Sequence, residues 1–138
     1  MTGTKARAAR QAPGTPSEAA PRFATFPAAP DTPEPLAEPA RDDIRLEQVM
    51  AALSDPLRLT IVQRLLLDAE AFDHTCGWFG FDRPKSSLTH HFKVLREAGI
   101  TRQRQYGLER RSQVRIEDLE ERFPGLLDLV ADWEPQEI

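Results

Sequence analysis

The sequence predicts a mostly α-helical domain carrying one small β-hairpin, with a disordered tail ahead of it. Three observations predict this. Between residues 42 and 133, several segments repeat apolar residues at three- and four-residue steps. Residues 101–116 instead alternate around a central Tyr106-Gly107, the pattern of a hairpin. Residues 1–41 hold eight of the twelve prolines and eleven alanines, against three large apolar residues, Phe23, Phe26 and Leu36. Proline at that density breaks helices and strands, and so little apolar surface does not offset ordering entropy. The organisation expected is a disordered tail over 1–41, a folded domain over 42–133 and a short C-terminal tail over 134–138.

Taken in order, RDDIRLEQVMAAL places Ile44, Val49, Met50 and Leu53 at helical spacing, with Asp42 and Asp43 favourable near its N-terminus. In SDPLRLTIVQRLLLDAEAF, Ser54 or Asp55 caps, Pro56 suits the first helical position, and Leu57, Ile61 and Leu65 form the buried stripe. DHTCGWFGFDRP is interrupted by Gly77, Gly80 and Pro84 and allows at most a short helical turn packed through Trp78, Phe79 and Phe81. KSSLTHHFKVLREAGI returns to the helical period with Leu88, Phe92 and Leu95, and Gly99 followed by Ile100 reads as a C-terminal stop. After the hairpin, EDLEERFPGLLDLVADW is helical but broken at Pro124-Gly125.

The net charge of −4 argues against a nucleic-acid binder until its distribution is considered. From Arg83 to Arg115 there are nine Lys and Arg and two acids, a local +7 that leaves −11 for the remainder. A basic block in an acidic chain suits a phosphate-facing surface, and few acids lie within the block to pair with it. Opposite the apolar seam of residues 85–98, Ser86, Thr89, His90 and Lys93 share one stripe at about 100° per residue. A helix with such a face, followed at once by an arginine-rich hairpin, is the winged helix-turn-helix arrangement, with the helix in the major groove and the hairpin on phosphates or in the minor groove. The single cysteine excludes an internal disulfide and fits a reducing cytoplasm. No secretory leader is apparent, and no apolar run approaches the roughly 18 residues of a membrane span.

The segments LSDPLRLTIVQRLL and KSSLTHHFKVLREAGI, followed by the arginine-rich hairpin, resemble the ArsR/SmtB-like (arsenical-resistance repressor) family of bacterial transcription regulators over roughly residues 42–131. The resemblance implies a cytoplasmic homodimeric repressor joined through its first and last helices. By position, Lys85, Ser86, Ser87, Thr89 and His90 fall on the family's base-reading helix, and residues 104–111 on its wing. Two features depart from the family. HTCGWFGFD stands where an alanine-rich helix opens the helix-turn-helix. Neither the paired cysteines nor the Asp and His on the last helix that serve many members as metal ligands are present.

The DNA-binding residues expected are therefore Lys85, Ser86, Ser87, Thr89, His90, Lys93, Arg102, Arg104, Arg110 and Arg111. Hydroxyl groups donate and accept to bases or phosphates, while lysine and arginine neutralise phosphates and confer salt dependence. His91 leans toward the apolar seam as a packing histidine. His74 and Cys76 are weak metal candidates, because zinc wants four ligands and only Asp73 and Asp82 lie nearby; a structural cysteine beside Trp78 and Phe79 is the better reading. Catalytic triads, phosphate loops and glycine-rich fingerprints are absent, so no enzyme and no cofactor is expected. The function expected is a sequence-specific, homodimeric repressor on a near-palindromic operator. The alternative is a winged-helix protein-interaction module without specific DNA binding.

Overall fold

In a computed structural model, which describes residues 22–23, 25, 28–68 and 74–135, the helical and alternating segments take up the winged helix-turn-helix architecture. A single-turn 3-10 segment, Arg41–Asp43, precedes α1 (Leu46–Leu53) and α2 (Pro56–Leu66). Strand β1 (His74–Thr75) and a 3-10 turn (Cys76–Phe79) lead into α3 (Lys85–Glu97). Strands β2 (Thr101–Tyr106) and β3 (Glu109–Val114) form the hairpin, and α4 (Ile116–Arg122) and α5 (Leu126–Asp132) follow. The sheet is antiparallel in the order β1-β3-β2.

Local chemistry sets the boundaries. Asp55 caps α2, its carboxylate accepting from the amides of Leu57 (2.7 Å) and Arg58 (3.2 Å), with Pro56 behind it. The first helix starts later than its apolar spacing predicts. Arg45 is extended, at φ −111 and ψ 132, so Asp42 and Asp43 sit in the 3-10 turn and Ile44 in the link between. The predicted break at Pro124-Gly125 separates α4 from α5, where Gly125 has φ 92. At the hairpin, Tyr106 pairs with Glu109 across a two-residue loop, and Gly107 (φ 63) supplies the left-handed first position that such loops require.

Helix α3 ends in a Schellman motif. The amide of Ile100 donates to the Leu95 carbonyl, and that of Gly99 to Arg96, both at 3.0 Å. Gly99 has φ 87, and a Cβ there would lie 2.6 Å from Ile44 Cγ1, so the link into α1 and the exit from α3 touch backbone to side chain. The core between them is formed by Ile44, Val49, Ile61, Val62, Leu65, Leu88, Phe92, Leu95, Ile100 and Val114, joined by Leu119, Leu127 and Val130 from the last two helices. Phe79 in the 3-10 turn stacks on Phe81 and meets Phe92, with ring centroids 5.5 and 5.6 Å away. The turn thus occupies the place of the opening helix of the helix-turn-helix. Strand β1 has no sequence signature, since two residues are too few to carry an alternation.

Contacts with the domain begin well before residue 42, where the proline-rich tail was expected to end. Phe23 is buried, and Arg22 pairs with Asp128 and Asp132 on α5. Residues 33–39 lie along β2, with Pro35 bridged to Arg104 and the Leu36 amide donating to the Gln103 carbonyl at 2.8 Å. Composition misled here because proline forbids a central strand yet suits an extended edge segment. Residues 1–21, 24, 26–27 and 136–138 of the expected tails, Phe26 among them, lie outside the described residues.

Replacing Gly99 by Ala combines a left-handed backbone with a clash against Ile44 and should cost about 2–4 kcal/mol. Urea denaturation of the Gly99→Ala variant measures this, and the Gly107→Ala variant, which meets nothing within 4 Å, should lose only the backbone part.

Candidate nucleic-acid interface

Helix α3 is anchored by Leu88, Phe92 and Leu95, all buried, which turns the opposite face outward. On that face Ser86, Thr89, His90 and Lys93 are exposed, as is Lys85 in the first turn. Ser87 is half-buried at the margin of this stripe, on the side shared with His91 and Val94. Lys93 Nζ lies 4.0 Å from Glu97, an exposed pair one turn apart. Such a pair contributes about 0.3–0.5 kcal/mol, so Lys93 can exchange Glu97 for a competing anion at little cost.

The hairpin is fixed to α3 by a buried amide. Gln103 Nε2 donates to Ser112 Oγ at 3.1 Å across the ladder, while its Oε1 accepts from Arg96 Nε of α3, also at 3.1 Å. Because side chains alternate along a strand, the face of Gln103 and Ser112 is also that of Gln105 and Arg110 nearer the tip. Arg110 is exposed there and donates to Gln105 Oε1 at 2.8 Å. Arg102, Arg104 and Arg111 occupy the other face. Arg111 lies over the Tyr106 ring, 4.7 Å from its centroid, and 3.2 Å from Glu109.

Sequence reasoning placed all four wing arginines on one phosphate-facing surface, and the pleat divides them. Arg102 donates through Nε and NH2 to the Glu38 carboxylate at 3.0 and 2.6 Å, with Asp118 3.7 Å away. The hydrogen bond to Glu38 raises its pKa further, against the opposing effect of burial. Arg104 Nε donates to the Pro33 carbonyl at 2.8 Å and NH1 to Gln113 at 3.2 Å. Both guanidiniums are thus engaged inside the chain, by a segment whose role no apolar period announced. The alternation in residues 101–116 was the signal that separates them from Arg110.

His91 proves more than packing. Its Nδ1 lies 3.1 Å from Arg58 NH1 on α2, and Arg58 Nε donates to the Ala52 carbonyl at 2.7 Å. Since guanidinium only donates, His91 accepts at Nδ1 and is neutral in this arrangement. Burial is the main cause that lowers its pKa; Arg58, His90 and Arg83 add to it, and Asp55 opposes. The carboxyl of Asp55 is raised by burial but lies below its usual range on balance, held down by the amides of Arg58 and Leu57.

His74 Nε2 is 2.7 Å from the Asp68 carboxylate, and its ring stacks on Trp78 with centroids 3.6 Å apart. The Cys76 backbone enters the 3-10 turn, and its side chain lies outside the described residues, as does Asp73. Among the described residues, no group of three His, Cys, Asp or Glu side chains is arranged to hold a metal ion. Nor, among them, is any helix long and apolar enough to cross a membrane.

No family model matches the chain. It is 33% identical over 89 residues to an uncharacterized HTH-type transcriptional regulator, YceK, of Bacillus subtilis (strain 168), a match covering 63% of this chain and 87% of that protein.

The lowered pKa of His91 makes stability depend on pH with a definite sign. Protonation favours the unfolded chain, so this contribution is complete above the unfolded value of about 6.5 and is lost as pH falls through it toward the folded one. Denaturation midpoints followed from pH 8 to 5 should therefore fall more steeply on the acid side for the wild type than for a His91→Gln variant, about pH 6.5 marking the onset.

Proposed function

Because the chain belongs to the HTH-type transcriptional regulators, we propose that it is a cytoplasmic, homodimeric repressor that binds a near-palindromic operator. The observation that carries this is the outward stripe of α3, where Ser86, Thr89, His90 and Lys93 stand exposed with no acid before Glu97. Lys85 and these four enter the major groove, Ser87 at the rim of the contact. Arg110 and Arg111, beside the tip of the hairpin, meet phosphates or the minor groove. Short hydroxyl side chains and an imidazole read base edges at close range, and the lysines supply affinity without sequence preference.

Apolar side chains left exposed among the described residues support the dimer. Leu46 and Met50, one turn apart on α1, are 47% and 59% exposed, and Leu129 on α5 is 72% exposed. Joining two copies through these helices covers them and sets two α3 helices roughly one DNA turn, about 34 Å, apart. A helix pair that contributes core to its copy also suits a domain of this size.

Footprinting on the DNA upstream of the chain's own gene tests the reading, since a repressor of this kind protects a symmetric site. Lys93→Ala and Arg110→Ala should weaken binding to specific and random duplex alike and lower the salt slope by about 0.9 per contact. His90→Ala should instead change which base pairs are preferred; equal losses on specific and random DNA remove it from base reading. A Met50→Glu, Leu129→Glu double variant should sediment as a monomer and lose operator affinity while keeping its helical content.

A further inference from the structure

The duplex-binding reading uses α3 and the hairpin tip and leaves residues 33–39, PEPLAEP, without a role. They are nevertheless held by several hydrogen bonds from the folded domain. Arginines from β2, from α3 and from the link between β3 and α4 converge on it. Arg104 of β2 donates to the Pro33 carbonyl at 2.8 Å, and Arg96 of α3 donates to the Ala37 carbonyl at 3.1 Å. Arg102 of β2 forks onto Glu38, and Arg115, between β3 and α4, donates to the Pro39 carbonyl at 2.7 Å and lies 3.7 Å from Glu38. The composition suits the task. Pro33, Pro35 and Pro39 keep the chain extended and present carbonyls without amides, which is what guanidinium donors need.

We propose that residues 33–39 are a strap that positions the wing against α3, with the Glu38 carboxylate as its charged anchor. The inference rests on the duplex-binding reading, because its consequence is the placement of Arg110 at the phosphates. Two observations favour a positioning strap over one that merely masks arginines from DNA. The Glu38 side chain is 15% exposed and that of Arg115 is 2% exposed, so the anchor is sealed within the fold rather than laid over it. The strap also joins the three elements whose relative pose decides the interface: the end of α3 through Arg96, the wing through Arg102 and Arg104, and the start of α4 through Arg115. Arg110 and the tip project beyond it. Glu38 acts through the wing and is a positioning residue, not a DNA contact.

The test compares the full chain with its Glu38→Gln and Glu38→Ala variants on a duplex that the wild type selects from a random-sequence pool, titrated at several salt concentrations. The strap requires at least a tenfold loss of affinity in both variants, with the salt slope smaller by about one to two, as expected when wing phosphates are lost. Base preference at the α3 half-site should not change. Hydrogen exchange supplies the second reading: β2 and β3 amides should exchange faster in the variants while those of α2 keep their protection. Unchanged affinity and slope overturn the proposal. So does tighter binding with a steeper slope, the result of unmasking Arg102 and Arg104. Should Glu38→Ala fail to fold, Glu38→Gln, which keeps the shape and one acceptor, decides. If the wild type selects no duplex, the binding reading fails instead, and the exchange data still judge the strap.

Discussion

A guanidinium cannot give up its proton inside a protein, so burying one obliges the chain to bring acceptors to it. Arg115 is 4% exposed, and the fold is arranged around meeting that demand. Asp118, one turn into α4, accepts from its Nε at 2.8 Å, and the Pro39 carbonyl accepts from NH1. Asp118 also takes Arg41 at 2.7 Å from the 3-10 turn. Burial alone pushes the Asp118 carboxyl up, but the hydrogen bonds from Arg41 and Arg115 hold it below the usual range. One buried cation thus ties together the end of the hairpin, the start of α4 and the chain ahead of α1. Its own amide donates to the Ile100 carbonyl at 2.9 Å, adding the exit of α3 to the same knot.

This explains why the interface has both firm and loose parts. Between α3 and the hairpin, Gln103 is buried and bonded on both sides, so the two elements are held at one angle. Toward solvent, the Lys93–Glu97 and Arg111–Glu109 pairs are exposed and exchange partners at little cost. A surface of this design keeps its shape and gives up its counter-charges, which suits a partner that brings its own negative charge.

Much of this was legible in the sequence, and for a physical reason. The five helices and the hairpin carry long periods or strong punctuation: Asp55-Pro56, Gly99-Ile100, Tyr106-Gly107 and Pro124-Gly125 each fix a boundary through local backbone chemistry. The exposed stripe of α3 followed directly from the burial of Leu88, Phe92 and Leu95. What escaped depends on contacts distant in sequence. Nothing near Glu38 reveals that Arg102 and Arg115, more than sixty residues on, will meet it. Composition made residues 33–39 look unstructured because apolar burial was the only stabilising effect that composition measures, and here carbonyls and a carboxylate provide the hold. The division of the wing arginines was available from the period of two but required the strand register to be applied residue by residue. Arg58 and His91 lie on separate helices, and their pairing becomes visible only once those helices cross.

The sheet also has two margins, β1 and β2, and the chain deals with each differently. Strand β1 is only two residues long, too short to template another strand. Along β2, residues 33–39 occupy the margin; prolines 33, 35 and 39 have no amide to donate, and the Leu36 amide is already spent on Gln103. Both margins are therefore poor templates for a strand from another molecule. The proline-rich stretch thus also shields one edge of the sheet from strand-to-strand association between molecules.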